Sequence, residues 1–139
     1  MRTLIPAELP ATLQAVETWI KANNLVIFIY TVTDNFPKSE LFALTSQTTR
    51  AAVSIPANIA EGCSRSSAKD LGHFLEIAIG SAFELKTLIG IAFARDYIPE
   101  QLKTKVDHDI ETTVKLIYGF KRSLKLWTTH HQPSATNGF

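Results

Sequence analysis

Residues 36–62 read FPKSELFALTSQTTRAAVSIPANIAEG, and the spacing of their apolar positions decides the fold class. Leu41, Leu44, Thr48, Ala51, Ile55 and Ile59 recur at steps of three and four, the period of one face of an α-helix. Asp34-Asn35-Phe36-Pro37 before them reads as a connection, with Pro37 near the first helical turn, where its missing N–H costs nothing. The spacing predicts a helix over 38–61, ended by Gly62 as a left-handed cap. Pro56 falls inside that helix and removes the bond to the Ala52 carbonyl, which predicts a kink. Ala51, Ala52, Ser54, Ala57 and Ala60 are small enough to let a neighbouring helix come close.

Working outward, Leu13, Val16, Trp19, Ile20, Val26, Ile29, Tyr30 and Val32 keep helical steps and predict a helix over about 11–33. The run Leu25–Val32 is rich in β-branched residues and competes as a strand, but no turn separates it from the periodic part. Ile27 and Phe28 make this helix apolar on more than one face, the pattern of a helix buried on two sides. Downstream, Ser67 and Asp70 form a capping box in its weaker Asp form, opening a helix over 67–95. Its inward stripe is Leu71, Phe74, Leu75, Ala78, Ala82, Leu85, Leu88, Ile89 and Ala92, and Ile79, Phe83 and Phe93 widen it to a second side. Gly80 and Gly90 each cost about 1 kcal/mol relative to Ala in a helix interior, so close helix contact is expected at both. Ile98-Pro99 opens the last helix, 99–127, with Leu102, Val106, Ile110, Thr113, Ile117, Phe120 and Leu124 inward. Residues 1–10 read as an N-terminal extension and 129–139 as a disordered tail.

Four helices with short connections give an all-α, antiparallel up-down-up-down four-helix bundle. Because two of them are apolar on two sides, the bundle is expected to pack against copies of itself, with Ile27, Phe28, Ile79 and Phe83 at the subunit interface.

The bulk numbers agree with that reading. The chain has 139 residues, one domain's worth, and buries roughly two thirds of its unfolded surface. It is 45% hydrophobic and 19% charged, somewhat more apolar than an average soluble domain, which leaves apolar surface for a partner subunit. Cys63 stands alone, so neither an intrachain disulfide nor a four-cysteine zinc site can form. The opening MRTLIPAELP interrupts with Pro6, Glu8 and Pro10 the apolar run that a signal peptide needs. The most apolar window, Leu71–Phe93, contains His73, Glu76, Glu84 and Lys86, which make membrane insertion costly, and Leu25–Val32 is too short to span. A cytoplasmic protein without a membrane partner is expected.

Formal net charge is +1, but it is unevenly placed. Asp96–Glu111 holds five acids and two bases, whereas the chain from Thr112 onward holds Lys115, Lys121, Arg122 and Lys125 and no acid. This is either an anion-binding patch or a set of cations complementing a helix C-terminus. The loop Gly62–Ser67, with Arg65 and Lys69 beside the start of the third helix, is a second place where a phosphate can sit. No glycine-rich nucleotide loop is present.

Two arrangements of polar residues could bear on catalysis. Asp70-x-x-His73 followed by Glu76 is half of a di-iron pattern, but such bundles use two Glu-x-x-His pairs. His108 has Lys105 three residues before it, and His130-His131 fall in the tail, so neither metal nor cofactor is expected. Arg50, Ser54, Asn58 and Glu61 form one polar stripe, and His73, Glu76, Gly80, Glu84 and Thr87 another. They could supply acid–base groups, yet nothing marks a nucleophile, and such stripes usually face solvent or a subunit seam. A non-enzymatic protein is expected.

The run Phe36–Gly62, followed by FLEIAIGSAFEL at Phe74–Leu85, closely resembles the four-helix-bundle family first noticed as proteins encoded in intervening sequences of bacterial 23S rRNA genes. The likeness extends back through Trp19, Lys21, Ala22, Leu25, Val26, Ile29, Tyr30 and Thr33. It extends forward, more weakly, through Tyr97-Ile98 and Tyr118–Leu124, covering about 110 residues. It implies a four-helix protomer, a ring-shaped homopentamer, and kinship with the accessory variability protein of diversity-generating retroelements, which binds a reverse transcriptase and nucleic acid. No catalytic activity goes with the family. The chain departs from it in having Thr49-Arg50 where members often carry two arginines, and Ile27 and Phe28 where polar residues are usual. It also lacks the strongly basic character of the retroelement proteins. The implied role is a homo-oligomeric adaptor for RNA, or for a nucleic-acid-handling protein such as a reverse transcriptase. Arg50, Arg65, Lys69, Lys121, Arg122 and Lys125 would make the phosphate contacts. The alternative is a protein–protein scaffold in which those charges only solubilise.

Overall fold

The structure is a computed structural model and describes residues 12–131. It is all-helical, with four α-helices and no strand among the described residues: α1 Leu13–Thr33, α2 Leu44–Cys63, α3 Ala68–Ala94 and α4 Glu100–His131. The expected extension at 1–10 lies outside the described residues. The tail expected from 129 does not begin there, because α4 continues to His131; residues 132–139 lie outside the description.

Each helix packs on two others. The α2–α3 contact is the most extensive, α1–α2, α3–α4 and α1–α4 follow, and α1 and α3 stand at diagonal corners with α2 and α4 between them. The core that results is built from α1's Leu25, Ile29 and Val32, α2's Ile55 and Ile59, α3's Leu75, Leu85 and Ile89, and α4's Val106, Ile110 and Ile117. Among the described residues its buried polar side chains are Thr18, Thr33, Thr48 and Thr113. Three of these return their hydroxyls to a carbonyl of the preceding turn, at 2.7–3.0 Å. By length and composition α3 could cross a bilayer, yet its inner stripe is buried against its neighbours.

On α1 the structure corrects the inward stripe. Leu13, Ile20 and Tyr30 are exposed, and the buried line is Ala15, Thr18, Ala22, Leu25, Ile29 and Val32. The strand alternative for Leu25–Val32 is settled for helix, with Thr12 capping the start by accepting from the Ala15 N–H at 3.2 Å.

The start of α2 is also corrected. Lys38–Glu40 form only a 3-10 turn, and the chain breaks again at Ala43 before α2 begins at Leu44. Phe36 is buried against the Tyr97 ring, centroids 5.8 Å apart, and the Tyr97 hydroxyl donates to Glu40 Oε2 at 2.9 Å. These contacts tie the α1–α2 connection to the α3–α4 connection, so the segment cannot run straight into a helix. Leu41, expected inside, is 53% exposed as a result.

Gly62 is not a left-handed cap. It lies in the last turn of α2, and no glycine among the described residues has positive φ. A Cβ there would stand 2.8 Å from both Leu71 Cδ1 and Phe74 Cβ, so the residue is small because α3 crosses on top of it. At Gly80 and Gly90, where close contact was expected, a Cβ would meet nothing within 4 Å.

The end of α3 closes on a Schellman motif. Tyr97 N–H bonds to Ala92 O and Asp96 N–H to Phe93 O, both at 2.9 Å, with Asp96 left-handed at φ 62°. A side chain in that region is strained, less so for Asp than for most residues. Asp96→Gly is therefore expected to raise stability by about 0.5–1 kcal/mol, read as a higher urea midpoint at unchanged slope. At its other end α3 is capped by Ser67, whose hydroxyl accepts from the Asp70 N–H at 3.1 Å, one of the two bonds of the expected capping box.

Candidate nucleic-acid interface

The polar stripe of α2 meets α3 at Ser81, a residue outside the stripe expected on that helix. Ser54 and Ser81 share a 2.7 Å hydrogen bond across the two helices, and the Asn58 amide donates to the Ser54 carbonyl and hydroxyl at 2.8 and 3.0 Å. Toward the start of α2 an open groove of about 560 Å³ includes Phe42, Arg50, Ser54 and Glu84 in its lining. Among the described residues no three His, Cys, Asp or Glu side chains converge as metal ligands. Glu76, the best placed of the acid–base candidates, accepts a 2.5 Å hydrogen bond from Lys121, which holds its carboxyl below the usual range. Cys63 is buried, and burial pushes its thiol up. A thiol in that state is a poor nucleophile.

Five of the six expected phosphate contacts gather at one end of the bundle, where α2 ends, α3 begins and α4 runs out. Arg65 pairs with Glu61 and lies over the Phe74 ring at 4.8 Å. Lys69 is exposed in the first turn of α3, Lys121 bridges from α4 to Glu76 on α3, and Arg122 and Lys125 are exposed beside it. Arg50 does not join them. It lies fifteen residues before Arg65, roughly 20 Å at the rise of a helix, and lines the groove together with Glu84. The stripe Arg50, Ser54, Asn58 and Glu61 hid this separation, because it reports the face of a helix and not the position along it. The Glu61–Arg65 pair could have been found from its spacing of four; the Glu76–Lys121 bridge joins residues 45 apart and has no local signal.

The expected subunit-interface residues divide. Ile27 is 40% and Phe83 56% exposed. Phe28 is half-buried against the core, with Lys105 Nζ 4.8 Å from its ring centroid. Ile79 is corrected: at 7% exposure it belongs to the protomer's own core, because α3 is inward over a broader arc than one line of residues. The sequence reading missed Ile77, Ile91 and Phe42, which are 39%, 45% and 93% exposed.

Residues 14–119 match the profile of the family described as 23S rRNA-intervening sequence protein. Among solved structures, the chain is similar to a protein of unknown function from the S23 ribosomal protein family of Bacteroides thetaiotaomicron. The two share 20% identity at a TM-score of 0.72, covering 79% of this chain and 99% of the other. At that identity the likeness concerns the fold. No curated protein matches the sequence.

Proposed function

The chain belongs to the 23S rRNA-intervening sequence protein family, and from that premise we propose a non-enzymatic, cytoplasmic, homo-oligomeric adaptor that holds RNA at the basic end of its bundle. The observation that carries this reading is the gathering of Arg65, Lys69, Lys121, Arg122 and Lys125 at one end, beside the N-terminus of α3. Phosphate contacts supply most of the non-specific affinity for nucleic acid, and an N-terminal helix dipole adds to them. A protomer of formal charge +1 gains from assembly, since each copy repeats the patch. By the resemblance the assembly is a ring of five, and its protein partner is a nucleic-acid-handling enzyme such as a reverse transcriptase.

The bundle in this reading is antiparallel, up-down-up-down. Glu76 meets Lys121 and Lys86 meets Glu111 between α3 and α4, while Lys21 meets Asp109 and Phe28 lies under Lys105 between α1 and α4. In each set the numbers rise on one helix as they fall on the other. Pro56, buried inside α2, bends that helix at the Ala52 carbonyl it cannot bond.

Binding to structured RNA is expected to weaken steeply with salt. The triple substitution Lys69→Gln, Arg122→Gln, Lys125→Gln should lower the slope of log affinity against log salt by about 2–3 per protomer engaged. Undetectable binding at low salt, or an unchanged slope in the variant, rules the reading out. A second reading, a protein–protein scaffold, is favoured by one observation: Arg65 and Lys121 already have carboxylate partners in Glu61 and Glu76. Recovery of a protein partner from nuclease-treated lysate, with no RNA bound at low salt, would decide for it.

A further inference from the structure

The groove between α2 and α3 holds two charged groups that the rest of the protomer leaves unused. Arg50 lies one helical turn before Ser54 and Glu84 one turn after Ser81, and the 2.7 Å bond between those serines fixes the two helices against each other there. Both charged residues are exposed and line the same groove of about 560 Å³, so they stand on the same side of that bond. Among the described residues neither has an ion-pair or hydrogen-bond partner, and they do not pair with each other. The third feature is Phe42, at the break before α2, which is 93% exposed and lines the same groove. Phe36, in the same connection, is buried against Tyr97, whereas Phe42 serves no core. Ser46 and Gln47, also in the lining, add a hydroxyl and an amide.

We propose that this groove binds a single guanine nucleotide, with Arg50 on the phosphate, Phe42 against the base and Glu84 on the base edge. A guanidinium presents a planar fork of donors that matches phosphate oxygens. An aromatic face in solvent is a stacking platform for a base. Guanine presents two adjacent donors on its pairing edge, N1–H and the 2-amino group, and the two oxygens of a carboxylate accept from both at once. Inorganic phosphate alone would gain from Arg50 and be repelled by Glu84. A single amino acid also carries both charges, but it would fill only a small part of a groove of this size. The site is separate from the basic end, which lies roughly 20 Å further along α2, and it does not depend on that end binding RNA. The nucleotide is either free or one unit of an RNA strand, since both offer the same phosphate, ring and base edge.

Calorimetric titration of the intact chain with GMP, guanosine and AMP tests this. GMP is expected to bind more tightly than guanosine, which lacks the phosphate, and than AMP, which lacks the paired donors on its base edge. Arg50→Gln should remove the advantage of GMP over guanosine, and Glu84→Gln its advantage over AMP, so each variant changes one preference and keeps the other. Phe42→Ala should weaken all three ligands by about tenfold or more, the worth of one base stacked on an aromatic ring. All three side chains are exposed, so the fold is not at stake. No GMP binding at millimolar concentration, equal binding of the three ligands, or preferences unchanged in Arg50→Gln and Glu84→Gln overturns the proposal. The triple Lys69→Gln, Arg122→Gln, Lys125→Gln variant is expected to bind GMP as wild type does, which separates failure at the basic end from failure here. A guanine-containing RNA pentanucleotide that displaces GMP and binds more tightly identifies the ligand as part of a strand; one that cannot displace it identifies the free nucleotide.

Discussion

Gly62→Val is expected to destabilise the protein by about 2–4 kcal/mol, among the largest losses available to a single substitution in this chain. Its Cβ would arrive 2.8 Å from Leu71 Cδ1 and from Phe74 Cβ. The leucine methyl can swing aside. Phe74 Cβ is fixed to the backbone of α3, so relief requires the two helices to separate over their most extensive contact. Val also brings two branches to a site with room for none. Its better helix propensity, a few tenths of a kcal/mol over Gly, offsets little of this. Urea unfolding followed by circular dichroism should show a lower midpoint at unchanged slope. A midpoint within about 0.5 kcal/mol of wild type would show that α3 does not press on α2 there.

The glycines also show what the sequence could and could not disclose. Gly62 ends an apolar stripe and precedes a polar loop, which is the local signature of a left-handed cap, whereas Gly80 and Gly90 sit in a helix interior, the local signature of close packing. The structure reverses both assignments. A glycine is retained for what approaches it, and the approach of α3 to Gly62 is made by residues nine and twelve positions later. Where one helix face was apolar and the other polar, local pattern sufficed. On α4 five of the seven expected inward positions, Val106, Ile110, Thr113, Ile117 and Phe120, are buried, and Leu102 and Leu124 are partly buried against the same core, because only one rotation of that helix hides its apolar residues. On α1 several rotations would do, and Leu13, Ile20 and Tyr30 were placed on the wrong side while Ala15, Thr18 and Ala22 took the core.

The site was legible to the same extent. That bases would concentrate at the end of α4 followed from an acid-free run of sequence, whereas Arg65 and Lys69 read as a separate second place, and only the folded bundle brings the two together. That two of these five would meet carboxylates, and that Arg50 would sit elsewhere, depended on the relative height of the helices. Turn lengths fix that height and periodicity does not. Ile79 failed for a related reason. It is two residues past Ile77 and one past Ala78, and only the breadth of α3's contact with its neighbours decides that Ile79 is inside and Ile77 outside.

The buried and exposed faces of α3 supply the other large expected effect. Leu85, fully buried at 0% exposure, is expected to cost about 2–5 kcal/mol when cut to Ala, through lost transfer energy and the cavity left behind. Ile91, six residues on and 45% exposed, is of similar size and hydrophobicity. In a lone protomer Ile91→Ala should change stability by only about 0.5 kcal/mol, as surface substitutions do. Losses inside a protomer and between copies differ in how they depend on concentration. A core cavity belongs to each protomer, so the Leu85→Ala deficit stays constant on dilution. A contact between copies stabilises by mass action, so any deficit that Ile91→Ala takes from such a contact grows as protein concentration rises and fades as it falls. Thermal unfolding of both variants over a hundredfold concentration range separates the cases. A concentration-independent loss of several kcal/mol at Ile91 would mean that this side chain is inside the protomer after all.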